Sequence, residues 1–349
     1  MTSMGLGGVQ QSIVPYSLAL QKLGCDIQVL VMQGSGILRQ LSDNGLDAHV
    51  STLTRGGKLF RYLPHPGLRK QLQAFRPDLV IGFAQMGFFE AERAARPLGV
   101  PVITRVGSMR IPRLKSFHRA DGWLATTPEM KDTLAGLGYP PERISLVPNF
   151  MAETSRPRPE HELASPPLVG SLGRFVERKG FPVLIDAIAM LHERGIAVRC
   201  EIAGDGKHFQ ELERQIEARG AAGYIKLIGW LDKAAKTEFL QRIDLFVSPS
   251  LDEPFGFVYL DAMQVGAPVI TCPTVGARYI FSDPDSGEFV PLGDAPALAD
   301  AIQRLLADDE RRMTLGRNAE RSYTARFGLD AGVRSLEQSL ASMTALGKK

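Results

Sequence analysis

The stretch "SPSLDEPFGFVYLDAMQVGAPVI", residues 248–270, has the pattern of a strand end, a turn, a helix and the start of another strand. The turn places Glu253 beside Pro254, and the helix after it carries a second acid, Asp261, eight positions later. A helix between two apolar strands is the unit from which helix-covered parallel sheets are built. This stretch therefore predicts an α/β fold.

The same alternation of strand and helix patterns continues along the chain. Apolar strand-like runs lie at 26–32, 78–83, 101–106, 122–127, 143–148, 168–173, 198–204, 224–229, 244–250 and 268–272. The 349 residues are too many for one ordinary core, so we expect two doubly wound domains, joined in the proline-rich stretch 153–167. The expected parts are a first domain at 1–155, a linker at 156–167, a second domain at 168–328 and a C-terminal helix at 329–349.

Composition narrows the class of protein. Apolar residues make up 44% of the chain and charged residues 23%, as in a soluble globular protein. No apolar run approaches the roughly 18 residues of a membrane helix, and the N-terminus lacks the pattern of a secretory signal. The three cysteines are scattered, without metal-ligand spacing. We therefore expect a cytoplasmic protein.

Charge is distributed unevenly about the formal net value of +3. Residues 1–160 contain 19 Lys and Arg against 12 Asp and Glu, a net charge of +7, whereas the remainder carries −4. The excess indicates that the first half meets an anion, such as a phosphorylated acceptor or the head groups of an inner membrane leaflet. The alternative is a set of solvated basic faces. No nucleic-acid-binding signature accompanies the charge.

Ligands of open parallel sheets bind beyond the carboxyl ends of the strands. Arg174 and Lys179 follow the strand at 168–173, where a helix start disfavours cations unless an anion is present. They are therefore candidate phosphate ligands, although two surface cations would give the same pattern. Gly204 follows the next strand, where a tight turn alone explains it. Trp230 follows the third strand, where it could lie beside a nucleotide base or cover the core.

The turn at 252–256 completes the candidate site. We expect the helix after it to begin near Phe255 or Gly256, which leaves the amides of Phe255, Gly256 and Phe257 as donors for an anion or a sugar oxygen. Glu253 can then reach a ligand at the helix start and Asp261 one along its side. A diphosphate on the two cations, a sugar at Glu253 and a ribose at Asp261 together predict a nucleotide-sugar site. The alternative for Asp261 is a solvated helix residue.

Taken together, these motifs resemble the donor domain of the retaining family 4 glycosyltransferases with the GT-B fold. The segments that carry the resemblance are "GRFVERKG", "IAGDG", "LIGWL" and the stretch quoted first; "GLGGVQ", "PDLVIGF" and "RISLVPNF" more loosely resemble the acceptor domain. The resemblance implies two Rossmann-like domains facing across a cleft, with a C-terminal helix that crosses back to the first. It also implies transfer of a sugar from a nucleoside diphosphate to an acceptor hydroxyl with retained anomeric configuration.

The resemblance assigns roles by position. Glu253 matches the acid that contacts the transferred sugar, Asp261 the one that contacts the ribose, and Arg174 and Lys179 the cations on the diphosphate. Glu253, Arg174 and Lys179 are thus the expected catalytic residues. The other expected donor contacts are Gly7, Gly8, Gly204, Trp230, Phe255, Gly256 and Phe257.

The sequence departs from the family at three places. Asp261 stands where the family usually has Glu. The strands at 78–83 and 101–106 lack the histidine that many relatives place near the sugar; Ser108 and Arg110 follow the second strand instead, and we expect His118 to be a helix residue packed beside the sheet, so no histidine is named as catalytic. The chain also begins at the glycine loop, which predicts either an upstream start or an incomplete first sheet.

The expected partners follow from the same resemblance. We expect a UDP-sugar rather than a GDP-sugar as donor, and an anionic or lipid-linked glycan of lipopolysaccharide, glycolipid or exopolysaccharide synthesis as acceptor. No Asp-x-Asp motif suggests a metal for the diphosphate, so we expect no cofactor. The protein could lie peripherally on the inner face of the plasma membrane. The alternatives are a nucleotide-sugar 2-epimerase of similar fold and a non-catalytic nucleotide-sugar binder.

Overall fold

The computed structural model describes residues 11–32, 36–51, 66–152 and 163–346. The chain divides into two compact units, one formed by Met1–Ala152 with Gly328–Lys349 and the other by Glu153–Phe327. Each unit has its own parallel sheet and its own hydrophobic core. The two-domain α/β fold predicted from the sequence is confirmed.

The first unit contains a parallel pair of strands and a four-stranded parallel sheet, ordered β1-β2 and β3-β4-β5-β6. The strands are β1 Val29–Met32, β2 Ala48–Ser51, β3 Val80–Phe83, β4 Val102–Val106, β5 Gly122–Ala125 and β6 Ile144–Leu146. The helices before the C-terminal one are α1 Ile13–Lys22, α2 Leu38–Asp43, α3 Pro66–Phe75, α4 Ala84–Ala95, α5 Ile111–Leu114 and α6 Pro128–Gly136. Short 3₁₀ turns lie at Arg96–Leu98, Lys115–Phe117 and Pro141–Arg143.

The second unit contains one six-stranded parallel sheet in the order β12-β11-β10-β7-β8-β9. Its strands are β7 Leu168–Leu172, β8 Arg199–Ala203, β9 Ile225–Gly229, β10 Leu245–Ser248, β11 Val269–Thr271 and β12 Glu288–Phe289. Its helices are α7 Phe181–Glu193, α8 Phe209–Ala218, α9 Lys233–Arg242, α10 Phe257–Met263, α11 Val275–Ile280, α12 Ala295–Ala307 and α13 Asp309–Arg326, with a 3₁₀ turn at Glu177–Lys179. Since the chain winds first to one side of β7 and then to the other, the order is that of a Rossmann-type sheet.

Local sequence signals set several helix starts. A Thr or Asp precedes the first turn, and its side-chain oxygen accepts the backbone N–H three residues on, which satisfies a donor that the helix leaves unpaired. These capping residues are Thr127, Asp232, Thr274, Asp294 and Asp308. The helices they begin then cover apolar strands, which explains why residues of β10 and β11 are buried on both faces.

The C-terminal helix, α14 Leu329–Leu346, belongs to the first unit. Leu336 is buried in the same core as Tyr16 of α1 and Ile103 of β4. Gly332 lies so close to the Phe150 ring that a Cβ there would overlap it. Lys22 also pairs with Asp330 at 2.9 Å on the surface. The helix is therefore packed onto the first unit by an apolar face.

The structure differs from the sequence-based expectations at two strands and at His118. The strands β2 and β12 were not predicted, because one is polar and the other spans only two residues. The placement of His118 was wrong: it ends a 3₁₀ turn and is exposed rather than packed beside the sheet. Gly7, Gly8, the expected strand before them and residues 153–162 of the linker stretch lie outside the described residues.

Candidate active site

The candidate site lies where the winding of the second sheet reverses. β7 and β10 are hydrogen-bonded neighbours, although β8 and β9 separate them in the chain. The loops that follow β7 and β10 therefore leave the same edge of the sheet in opposite directions, which opens a crevice at the carboxyl ends of the strands. The loop after β7 carries Arg174 and Lys179, and the loop after β10 carries Glu253. The fold thus brings together residues that are 74 positions apart.

Lys179 and Glu253 form an ion pair at this reversal point. Lys179 Nζ donates to Glu253 Oε2 at 2.5 Å, and the two side chains are only 9% and 11% exposed. An ammonium group has further N–H donors, and a carboxylate has a second oxygen, so each group can bind a ligand while it keeps the other in position. The sequence predicted both residues at one site but not their direct contact.

Backbone contacts hold the two loops against each other. Leu251 donates its N–H to the Arg178 carbonyl oxygen at 2.8 Å, and Arg178 Nη1 donates to the Asp252 carbonyl oxygen at 2.9 Å. Gly180 has a φ of 66° and lies directly against the Pro249 carbonyl, where a Cβ would overlap it. A side chain at this position would be strained and would also push the loops apart. The position of Lys179 thus depends on the glycine that follows it.

A buried tyrosine lies behind Glu253. Burial, and then the negative charge of Glu253, raises the pKa of Tyr259 to about 12. Its hydroxyl accepts a hydrogen bond from Thr271 Oγ1 at 3.0 Å. The Glu253 carbonyl also accepts the Gly276 N–H at 2.9 Å, which ties the acid loop to the start of α11. The loop that carries the carboxylate is therefore packed against α10, β11 and α11.

Arg174 differs from Lys179 in its surroundings. It is exposed, and within the part of the chain that the structure describes, its side chain makes no hydrogen bond or ion pair. Phe175, which follows it, is fully buried and donates its N–H to the Asp205 carbonyl at 2.8 Å. The loop is thus anchored at one residue while the cation before it stays free to meet an anion.

Glycines let the loop after β8 approach the loop after β7. A Cβ on Gly204 would overlap the Gly173 carbonyl, and one on Gly206 would come within 2.5 Å of the Phe175 carbonyl. Both have positive φ values, 148° and 157°, which side chains rarely adopt. Packing therefore accounts for Gly204, and its contact with the donor stays a prediction.

Asp261 is buried, so the alternative of a solvated helix residue is wrong. It is 2% exposed, and its Oδ1 accepts from Lys236 Nζ at 2.5 Å. Lys236 lies on α9, 25 residues before its partner, and was not predicted from the sequence. A lysine four positions into a helix is an ordinary surface pattern, so only the fold reveals the pair. The predicted ribose contact of Asp261 is untested.

The aromatic residues predicted for the site have separate surroundings. The Phe255 ring is buried, 6.2 Å from the Phe327 ring and 6.4 Å from the Tyr279 ring, so only its backbone is left for a ligand. Phe257 is half-buried, and Trp230 is 56% exposed. Gly256, with a φ of 101°, caps α10, which begins at Phe257, close to the start near Phe255 or Gly256 that the sequence predicted. Trp230 thus does not cover the core.

The described residues offer no metal cluster and no membrane span. No group of three or more His, Cys, Asp or Glu in these ranges is placed to hold a metal ion. Likewise, no helix in the described ranges is both long and apolar enough to cross a membrane. The charged side chains at the sheet reversal are Arg174, Arg178, Lys179 and Glu253, and Arg178 Nη1 lies 3.9 Å from Glu253 Oε2. Cations beside a crevice can stabilise an anionic leaving group, and the carboxylate can accept hydrogen bonds from hydroxyl groups.

Comparison with known proteins gives two family matches that together span most of the chain. The model described as Glycosyltransferase Family 4 matches residues 6–153. The model described as Glycosyl transferases group 1 matches residues 154–322, which include the whole crevice. The border between the two matches falls beside the border between the two structural units.

Two relatives and one solved structure illustrate the likeness. The lipopolysaccharide core biosynthesis glycosyltransferases LpsE and LpsD of Rhizobium meliloti are 28% and 26% identical, and the alignments cover 96% and 92% of this chain and 96% and 91% of theirs. HepE of Anabaena, crystallised with UDP and glucose, superposes with a TM-score of 0.82 at 20% identity over 98% of each chain. At that identity the structural match establishes the fold alone.

Proposed function

The chain belongs to the family 4 glycosyltransferases, with the GT-B fold, and from that premise we propose that it transfers a sugar from a nucleoside-diphosphate sugar with retention of anomeric configuration. The observation that carries the proposal is the Lys179–Glu253 pair at the sheet reversal, beside the exposed Arg174. In this reaction the bond from the anomeric carbon to the diphosphate breaks, and a bond to an acceptor oxygen forms. The acceptor proton leaves on the diphosphate.

The charged side chains of the site match the charge that develops on the diphosphate during that reaction. Negative charge grows on the diphosphate as it leaves, and fixed cations stabilise it more in the transition state than in the ground state. Arg174 and Lys179 supply those cations. Glu253, already held by Lys179, has an oxygen left to accept a hydroxyl of the sugar. We infer that the diphosphate needs no metal ion, because two cations are available to it.

The nature of the substrates is inferred from the relatives. LpsE and LpsD are named for lipopolysaccharide core biosynthesis, and HepE was crystallised with UDP. We propose a UDP-sugar as donor and a lipopolysaccharide, glycolipid or exopolysaccharide precursor as acceptor. The net charge of +7 in residues 1–160 supports an anionic acceptor or surface.

A basic segment of the first unit supports contact with a membrane surface. Ile111 of α5 is exposed, and Arg110, Arg113 and Lys115 around it are exposed as well. None of these cations forms an ion pair with another residue of the described chain. An apolar side chain among unpaired cations suits the head groups of an anionic leaflet. We infer that the protein works at the cytoplasmic face of the inner membrane.

The function is tested by a donor screen. Purified protein is incubated with individual UDP- and GDP-sugars, with and without a lipopolysaccharide-core or lipid-linked acceptor, with and without EDTA. We expect nucleoside diphosphate release with one UDP-sugar, strictly dependent on acceptor and unchanged by EDTA. NMR of the product should show the anomeric configuration of the donor. Release without acceptor would favour the epimerase alternative, and binding without turnover the non-catalytic binder.

The membrane proposal is tested by sedimentation with vesicles. We expect the protein to sediment with vesicles that contain phosphatidylglycerol and not with pure phosphatidylcholine. The variant Arg110→Ala/Arg113→Ala/Lys115→Ala should lose most of this binding, at roughly 1 kcal/mol for each cation. A matched control, Lys226→Ala, removes an exposed cation of the second unit and should change nothing. Equal sedimentation of the triple variant would contradict the assignment of this surface.

A further inference from the structure

A second buried cation lies in the first unit, and the proposed donor chemistry does not use it. Arg105 is the fourth residue of β4, and it is 2% exposed. Its Nη2 donates to Asn149 Oδ1, and the Tyr16 hydroxyl lies beside the guanidinium. Asn149 and Tyr16 are themselves buried. Three side chains from β4, α1 and the segment after β6 therefore meet at one buried polar point.

The first unit gives this cation no carboxylate. No described Asp or Glu forms an ion pair with Arg105, and the Tyr16 hydroxyl beside it is neutral near pH 7, because burial raises the pKa of Tyr16 to about 12. The residues of this unit outside the described ranges, 1–10, 33–35, 52–65 and 347–349, contain no Asp or Glu. Burial lowers the pKa of Arg105, and an unpaired buried charge is costly. Because the buried Arg105 guanidinium has no carboxylate partner in its own unit, its charge suggests that it binds an anionic ligand.

Part of the guanidinium is still available for hydrogen bonding. Arg105 Nε is buried and has no hydrogen-bond partner among the described residues, and Nη2 is taken by Asn149. Gly107 leaves room at Nη1, because a Cβ there would come within 2.8 Å of it. The group thus lies at the carboxyl end of β4, the edge where parallel sheets bind ligands. A planar guanidinium at such an edge suits an oxygen pair of a phosphate or carboxylate.

We propose that Arg105, positioned by Asn149 and Tyr16, binds an anionic group, a phosphate or a carboxylate, of the acceptor. The inference rests on the proposed function, since it assumes that the first unit receives the acceptor. The diphosphate of the donor already has Arg174 and Lys179 in the second unit. A second, separate cation is therefore assigned to the other substrate.

The alternative is that Arg105 only holds the first unit together. The variant Arg105→Met separates the two roles, because methionine fills similar space without a charge. Arg105→Met alone leaves the buried Asn149 Oδ1 unpaired, so the double variant Arg105→Met/Asn149→Leu, which removes that oxygen, is the measure of the charge itself. If Arg105 binds a ligand and has no carboxylate partner, the double variant should melt within about 2 °C of wild type, or above it. A fall of about 8 °C or more in both variants would assign Arg105 to stability and overturn the proposal.

Inorganic phosphate is the direct probe of the site. The full chain with Arg174→Ala/Lys179→Ala lacks the cations of the donor site, and we expect millimolar phosphate still to raise its melting temperature above that in sodium chloride of equal ionic strength. Adding Arg105→Met should abolish that rise. An equal rise with and without Arg105 would overturn the proposal, and this arm needs no turnover, so it stays decisive if the proposed function fails.

Steady-state kinetics identify the source of the anion. With an acceptor that carries phosphate or carboxylate, Arg105→Met should raise the acceptor KM by roughly 10- to 100-fold, the range for hydrogen bonds to a charged group. The KM for the same acceptor without its anionic group should not change, and neither should the Kd of UDP. A weaker UDP Kd with an unchanged acceptor KM would place the donor diphosphate at Arg105 and overturn the assignment to the acceptor.

Discussion

Two lysine–carboxylate pairs of the second unit have the same length but different positions. Lys179–Glu253 and Lys236–Asp261 are both 2.5 Å apart. The first joins two loops at the sheet reversal, and its acid is 11% exposed; the second joins two helices, and its acid is 3% exposed. An ion pair at a crevice can change partners during a reaction, whereas one between helices holds an acid in a fixed place. We therefore expect the first pair to affect turnover and the second to affect binding.

The largest effect is expected from the first pair. Lys179→Ala and Arg174→Ala should each lower kcat by roughly 100-fold or more, because charge on the leaving diphosphate grows toward the transition state. UDP affinity should fall less than kcat. Initial-rate assays of UDP release measure kcat, and calorimetric titration measures the affinity for UDP. Lys226→Ala, which removes an exposed cation from β9, is the matched control. Unchanged turnover in both site variants would remove the cations from the mechanism.

The variant Glu253→Gln distinguishes the role of the carboxylate from that of Lys179. The variant keeps the shape of the side chain but removes the charge that Lys179 Nζ contacts at 2.5 Å. We expect kcat to fall sharply, because the sugar loses its acceptor for hydrogen bonds, while UDP binding stays equal or tightens as Lys179 becomes free for the diphosphate. A parallel loss of UDP affinity would mean that Glu253 acts only by positioning Lys179.

The second pair should give a smaller effect, on affinity. Asp261→Ala should weaken UDP binding by about 1.5–3 kcal/mol and spare kcat, because ribose hydrogen bonds are similar in the ground and transition states. Lys236→Met is the control, since it removes the partner but leaves the acid. Asp261→Glu should keep the affinity, because the longer side chain matches the family's usual residue. Its melting temperature should fall, since the buried site must take an added methylene.

Equal UDP affinity in wild type and Asp261→Ala would take Asp261 out of the donor site. Loss of affinity in Lys236→Met as large as in Asp261→Ala would instead show that the pair acts as a structural unit. Calorimetric titration well below the melting temperature of each variant separates these outcomes, since truncating one member of a buried pair is itself destabilising.

The sequence identified both members of the first pair, though not their contact, and one member of the second. Glu253 and Lys179 follow apolar strands, and the end of a strand is a position that periodicity can locate. Lys236 lies inside an ordinary polar helix, so no local pattern distinguishes it from a solvated lysine. Arg105 was missed in the same way, although a charge inside the apolar run "PVITRV" was a signal. His118 was placed wrongly because its neighbours suggest a longer helix than the short turn that forms.

Element limits were predicted less well than element types. The strand expected at 26–32 begins at Val29, and the one expected at 244–250 is Leu245–Ser248. Strand ends depend on which residues find partners in the neighbouring strand, and this is a property of the folded sheet. The order of the strands was not predicted, because periodicity along the chain does not show which strands pair. Only that order makes the loops after β7 and β10 neighbours.

The pH dependence of unfolding tests how burial and the charge of Glu253 affect Tyr259. The pKa of Tyr259 is raised from 10.0 to about 12, so its phenol stays protonated in the folded chain after it ionises in the unfolded one. The stability from this group is therefore complete below pH 10 and is lost between pH 10 and about 12, a change of about 2–3 kcal/mol in the free energy of unfolding.

The variant Tyr259→Phe has no phenol to ionise and should lose less stability over that range. Urea unfolding at a series of pH values should therefore show wild type as the more stable protein below pH 10, with the difference shrinking toward pH 12. The control Tyr224→Phe alters a half-buried tyrosine, so the difference in stability between wild type and this variant should change less as the pH rises. Parallel curves for wild type and Tyr259→Phe would show that Glu253 and burial do not perturb this phenol.

The smallest effect is expected from an exposed pair, Lys22–Asp330, although its 2.9 Å length is close to that of the buried pairs. Its side chains are 52% and 79% exposed, so water and salt screen the attraction. Lys22→Ala should leave the melting temperature within about 2 °C of wild type, with even less difference in high salt. Gly332→Ala is the contrasting variant on the same helix: its new methyl group would overlap the Phe150 ring, so the melting temperature should drop clearly. If Lys22→Ala lowered it as much as Gly332→Ala, the ion pair rather than the apolar face would hold α14 on the first unit.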